Sequence, residues 1–338
     1  MASDLNEDDT MMNNVNVKNW WKLTSTVALA TACMNAFAGQ KIDQSMDVDK
    51  TSYIDIEHMN GSAVIKGWDK SEVHVSGELS EHAEEFIFRR DGNRVRIEVE
   101  MKGGRHRSNG WGWNNDDGDD LVIYVPHESH ISYSSVNASI DAQALYADVD
   151  IDVVNGAISV DDVRGRVRLE SVNGDVKAMQ ATGDLHIETV NGAIQGEHSG
   201  AGELGFESVN GDIDMRSDSQ EISAETVNGD LYLTLGNVDE LDLTTVNGSI
   251  DVKMHLNEDG EVRIATVGGS VELTFQKAVS ARFDIKGHAG GNFVNRLTDD
   301  TTQKAKYGPR RWLEFTTGSG SAKVDVSTVN GRVKLQSK

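Results

Sequence analysis

The densest mixture of acids and bases in the chain is Asp161, Asp162, Arg164, Arg166 and Arg168. Polysaccharide lyases and hydrolases need carboxylates, beside basic groups or in pairs, converging in a groove. Here the three arginines alternate with Gly165 and Val167, as outward residues of a strand do. They are expected to form a solvated ladder of opposite charges. No Gly-x-Ser-x-Gly elbow and no Ser-His-Asp pattern is legible. The ten histidines are scattered without zinc spacing, and neither a calcium-roll nonapeptide nor an EF-hand loop occurs. The aspartate after Asn-Gly at 175, 212 and 230 is replaced by Ala157, Ala193, Ser249 and Arg332 in other copies. It is expected to be a turn residue and not a cation ligand. The chain is read as a non-enzyme without metal or cofactor.

Two features suit recognition or support instead. Trp111 and Trp113 sit beside Asn114, Asn115 and Asp116 in a polar stretch, residues 103–120, read as a projecting loop. Exposed indoles are flat and amphipathic, fit to stack on a sugar ring or enter a lipid interface; alternatively one covers the end of the fold. The second feature is a row of asparagines, Asn155, Asn173, Asn191, Asn210, Asn228 and Asn247, spaced 18 or 19 residues apart. Each belongs to a copy of one motif, such as Ser171-Val172-Asn173-Gly174-Asp175-Val176 or Thr189-Val190-Asn191-Gly192-Ala193-Ile194.

The elements that position those asparagines follow from the period. A fixed spacing near 20 residues marks a stacked-repeat architecture. Within each repeat apolar residues alternate, as in Leu231, Leu233 and Leu235 or Ile250, Val252 and Met254, which is the strand period. Asn-Gly between such strands ordinarily signals a hairpin. Recurrence of the same residues once per period favours a solenoid, in which the chain turns a corner and climbs about 4.8 Å per coil. Glycine at the corner supplies positive φ. The stacked asparagines are expected to form a ladder of buried amide hydrogen bonds, each contributing about 1 kcal/mol.

Residues 1–38 are read as a signal peptide with a possible non-native extension, translation starting at Met11 or Met12. Lys18 and Lys22 precede an apolar run, and Ala36-Phe37-Ala38 matches a small-x-small cleavage site. The run is too short to span a bilayer, so export to the periplasm or cell surface without a transmembrane helix is expected. The one cysteine, Cys33, is the minor alternative of a lipid anchor. Cleavage after Ala38 leaves no cysteine and no disulfide. It also removes four acids and two bases, taking the net charge from −23 to −21. Such acidity opposes nucleic acid and anionic lipid.

Residues 39–126 read as irregular coils and a cap, 127–275 as the regular repeat, and 276–338 as closing coils with a polar loop at 295–311. The leading segment contains Gly67-Trp68-Asp69 and Val73-His74-Val75-Ser76-Gly77, then Leu121-Val122-Ile123-Tyr124-Val125-Pro126. The closing segment contains Tyr307-Gly308-Pro309 and Ser327-Thr328-Val329-Asn330-Gly331. With the corner motif, these resemble the bacterial putative-adhesin β-strand-repeat family, a domain family of unknown function. The resemblance implies an all-β, single-stranded right-handed parallel β-helix at the cell envelope, and supplies no catalytic residues. The function expected is a scaffold or adhesin-like binding module for envelope proteins or glycans. The alternatives are a partner protein in envelope-stress signalling and a carbohydrate-active enzyme on the same fold.

Overall fold

A computed structural model of the chain describes residues 39–101 and 118–338. Those residues form 25 strands in one mixed sheet and no helix. Copies of the motif stack parallel and in register, so Val167 pairs with Val149 on one side and Leu185 on the other. Strands that enter the asparagine corner, such as Val167–Asn173, Leu185–Asn191 and Glu203–Asn210, form one stack. Strands that leave it, such as Val176–Ala181, Ile194–His198 and Ile213–Ser217, form a second. Val167, Leu169, Val176 and Ala178 point inward and are buried; alternation along each strand therefore places the core between the stacks.

Positive φ accounts for the corner glycines Gly61, Gly156 and Gly269, but the glycines of the regular coils are there for a different reason. Gly174, Gly192, Gly211, Gly229 and Gly248 do not have positive φ. Instead, a Cβ on Gly192 would stand 2.0 Å from the carbonyl oxygen of Gly174 in the coil before it, and one on Gly211 would stand 1.8 Å from that of Gly192. The same carbonyl accepts the hydroxyl of the motif's first residue, as Gly174 does from Thr189 at 3.4 Å and Gly156 from Ser171 at 3.5 Å. Serine or threonine at that position is buried, and at Ser171, Thr189 and Thr226 its hydroxyl satisfies an oxygen that the corner turns away from the ladder. At Ser208 and Thr245 the hydroxyl bonds nothing among the described residues. Left-handed non-glycine residues occur at the opposite turn, at Ala144, Asp162 and Gln180.

The coils nearest the chain ends are not at the ends of the stack. Tyr53–Trp68 lies between His130–Leu145 on one side and Arg94–Met101 with Asp119–Pro126 on the other. Likewise Ala322–Thr328 and Arg332–Ser337, which carry the last corner, insert between the coil ending in Ser270–Phe275 and that of Ala281–Gly287 and Asn292–Asn295. Antiparallel strands then close both ends. Ala83–Asp91 pairs with Arg94–Met101, Glu72–Leu79 with Asp119–Pro126, and Gln40–Asp47 with Glu72–Leu79. Arg311–Thr316 covers Ala281–Gly287. An all-parallel coil is thus corrected to a parallel middle with antiparallel ends, because an uncapped solenoid would leave its core and an open edge in water. The strand at Asp119 also begins inside the expected 103–120 loop.

Gly192→Ala is expected to lower the unfolding midpoint by an amount corresponding to about 1–3 kcal/mol, the cost of an over-packed contact. Gly268→Ala, where a Cβ meets nothing within 4 Å, leaves it nearly unchanged. Thermal melts of the two variants side by side measure the difference.

Candidate functional site

On the outer side of the corner the repeat generates rows. The residue three before each asparagine supplies Asp152, Glu170, Glu188, Glu207 and Glu225. The residue just before it supplies Val154, Val172, Val190, Val209 and Val227, each 40–42% exposed. Parallel pairing in register sets Glu188 beside Glu207 and Glu207 beside Glu225. The two rows line a groove of about 680 Å³ that crosses these coils. Its wall is apolar and its length is acidic.

Charge along the groove is unevenly balanced. Arg168 bonds Glu170 and lies 3.0 Å from Glu188, which His186 also meets at 2.7 Å. Glu207 and Glu225 form no ion pair among the described residues. Burial, then the neighbouring Glu170 and Asp150, hold the Asp152 carboxyl above its ordinary value. Like charges stacked in register repel one another, so a cation laid in the groove would relieve the repulsion.

The asparagine ladder borders this groove. Nδ2 of Asn155 donates to Oδ1 of Asn137 at 2.8 Å, and the same bond repeats through Asn173, Asn191, Asn210, Asn228 and Asn247 at 2.8–3.0 Å. Asn137 in turn donates to Asn60, extending the row into the inserted first coil. The side chains from Asn137 to Asn247 are exposed and Asn60 is half-buried, which corrects the expectation of buried amides. Water therefore competes for these rungs. The aspartate after Asn-Gly also has more than a turn role. Asp175, Asp212 and Asp230 each accept the backbone N–H of the next coil, from Ala193, Asp230 and Ser249 at 2.6–2.9 Å.

The remaining sequence candidates lie apart from the groove, Arg168 touching it only through Glu170 and Glu188. Arg164 bonds Asp162 at 3.1 Å and covers the Tyr146 ring at 4.0 Å, while Arg166 bonds Asp148 at 2.5 Å. Arg164 and Arg166 flank a turn, and only Arg168 stands on a strand. Trp111 and Trp113 lie outside the described residues. Among the described residues no group of three or more metal-ligating side chains gathers, and no helix is long and apolar enough to cross a membrane. The valine and acid rows were not singled out from the sequence; extending the motif two residues toward the N-terminus from its valine, to the acid, would have shown both.

A family model described as Toastrack DUF4097 matches residues 51–336. The chain belongs to the Toastrack DUF4097 family. No curated protein matches this Toastrack chain. Among solved structures it is similar to a "putative adhesin" from Bacteroides fragilis, at 13% identity, 88% of this chain, 97% of that one and a TM-score of 0.35. It is also similar to a "putative lipid binding protein" from Parabacteroides distasonis, at 11% identity, 89% and 99% coverage and a TM-score of 0.36. A "putative cell adhesion protein" from Clostridium sporogenes gives 9% identity, 88% and 100% coverage and a TM-score of 0.22. Likenesses at these TM-scores say nothing about what the Toastrack chain binds.

Because the ladder faces water, Asn191→Ala, Asn210→Ala and Asn228→Ala together are expected to cost less than about 2 kcal/mol, below the sum for three buried bonds. A thermal melt of the triple variant checks this. A second expectation concerns the far turn, where His198 is buried and bonds Gly183 O at 2.8 Å and Ser217 Oγ at 3.1 Å. Burial holds its imidazole below the ordinary value. On acidification through about 6.5 the unfolded chain takes up this proton before the folded one does, so stability falls as pH falls. His198→Gln should flatten that part of the decline in melts between about pH 7 and pH 5.

Proposed function

We propose that the chain is a non-enzymatic binding scaffold exported to the cell envelope. On this reading the parallel coils wind right-handed, as parallel crossover connections nearly always do. The valine–carboxylate groove receives an extended cationic segment of an envelope protein. The observation that carries the reading is the sameness of the groove from coil to coil. A reacting centre needs unlike groups brought to one point, whereas five successive acids beside five successive valines suit a partner that repeats along its own length. Charge complementarity then selects basic partners and steers their approach.

A peptide of alternating lysine and valine is the direct probe. Glu170→Gln, Glu188→Gln, Glu207→Gln and Glu225→Gln combined should weaken its binding at least about 10-fold, as should Val190→Ser with Val209→Ser, by removing charge complementarity and apolar contact respectively. Asp214→Asn with Asp251→Asn, on the outward face of the other stack, should leave it unchanged. Equal loss in all variants would show general attraction to an acidic protein. Product release from a panel of envelope glycans would replace the binding reading with an enzymatic one.

A further inference from the structure

One end of the stack presents two strands that, read antiparallel, complement themselves. Ala83–Asp91 pairs with Arg94–Met101 on one edge and, among the described residues, with no strand on the other. Its centre reads Glu84-Glu85-Phe86-Ile87-Phe88-Arg89-Arg90. Set antiparallel to a second copy about Ile87, it places Glu85 opposite Arg89 and Phe86 opposite Phe88, each pair twice. Gln40–Asp47 ends the other stack, bonded only to Glu72–Leu79 among the described strands. About Gln44 it places Lys41 opposite Asp47 and Ile42 opposite Met46.

The two centres lie at the same position along the strands. Ile87 pairs with Glu98 and that with Glu57, while Gln44 pairs with Val75, that with Ile123 and that with Ile65. Glu57 and Ile65 stand four residues either side of the corner glycine Gly61. Arg90 Nη1 donates to the Asp47 carbonyl at 2.8 Å, three residues beyond each centre, so the end strands face each other across the core. A single two-fold axis therefore serves both.

Such a pairing also removes a conflict inside the chain. Glu85 lies opposite Glu100, a like charge in direct apposition. Arg89 lies opposite Arg96, which Glu57 and Glu98 already hold, so Glu85 and Arg89 are without an ion pair among the described residues. A second copy brings each an opposite charge. Phe86, Phe88 and Met46 pack on the end of the core and remain partly exposed; the same contact covers them. The far end is finished differently, with Gln303–Lys304 seated on Arg311–Thr316 and the second stack ending in the four-residue Asn292–Asn295. Short and covered edges resist further pairing. The acidity of the whole chain opposes indiscriminate stacking, but the end strands carry both signs. We propose that two copies of this chain join end to end through Ala83–Asp91 and Gln40–Asp47, each strand meeting itself antiparallel about Ile87 and Gln44.

Cysteine scanning in a Cys33→Ser background tests this register, Cys33 being the only cysteine. Directly opposed residues of antiparallel strands stand about 4.5–5.5 Å apart between Cα atoms, within disulfide reach. Ile87→Cys and Gln44→Cys should each give a disulfide-linked dimer under mild oxidation, because each meets itself. Glu85→Cys alone should not, yet should link when mixed with Arg89→Cys. By light scattering, Arg89→Glu should weaken the dimer at least about 10-fold through facing carboxylates, and adding Glu85→Arg should restore it. Circular dichroism confirms that the variants fold. A monomeric wild-type chain, failure of Ile87→Cys or Gln44→Cys to link, or linking at Glu85→Cys as efficient as at Ile87→Cys would each overturn the proposal.

Discussion

The structure depends on a close approach of backbone to backbone at one corner. Each coil rests the α-carbon of its glycine on the carbonyl oxygen of the glycine beneath, so near that no side chain fits between. In the coils of Ser171, Thr189 and Thr226 a buried hydroxyl bonds that oxygen as well. Together these set the height and the register of successive coils. The rest follows from register: matched strands above and below, an apolar interior without steps, and side chains of one kind aligned in rows. A solenoid held this way needs no disulfide, since every rung repeats the same few contacts.

Register also converts a linear motif into a surface. Alignment of the acids produces a line of repulsion that only partly finds arginine or histidine, and alignment of the valines produces an apolar ridge beside it. The asparagines form a continuous hydrogen-bonded edge. A single coil has none of these properties. The surface belongs to the stack, in keeping with the quasi-one-dimensional character of repeat proteins.

The ends obey a different logic. Inserting the coil of Tyr53–Trp68 and that of Ala322–Thr328 and Arg332–Ser337 inside the stack gives each of them a paired neighbour on both sides. The antiparallel strands that follow are where repetition stops and individual sequence matters. His58 shows the same join from within: it is buried, 3.2 Å from the Tyr133 hydroxyl and 3.4 Å from Asp119, whose other oxygen accepts the Ser80 N–H. That cluster ties the inserted coil to both of its neighbours.

Strand character, period, corner and the existence of the asparagine row were legible in the residues alone. Alternation at Leu231 to Leu235 and recurrence of Val-Asn-Gly are local signals, and identical residues at a fixed spacing favour stacking on themselves. The tertiary structure alone decided which side of the corner meets water, because a two-residue period says nothing about a bend where the alternation breaks; hence the exposed amides and the unsuspected valine ridge. It also decided the order of the terminal coils and the reason for the glycines. Both depend on neighbours far away in the chain, Gly174 beneath Gly192 and Arg332–Ser337 beside Ser270–Phe275, and no local pattern records what will lie one coil below.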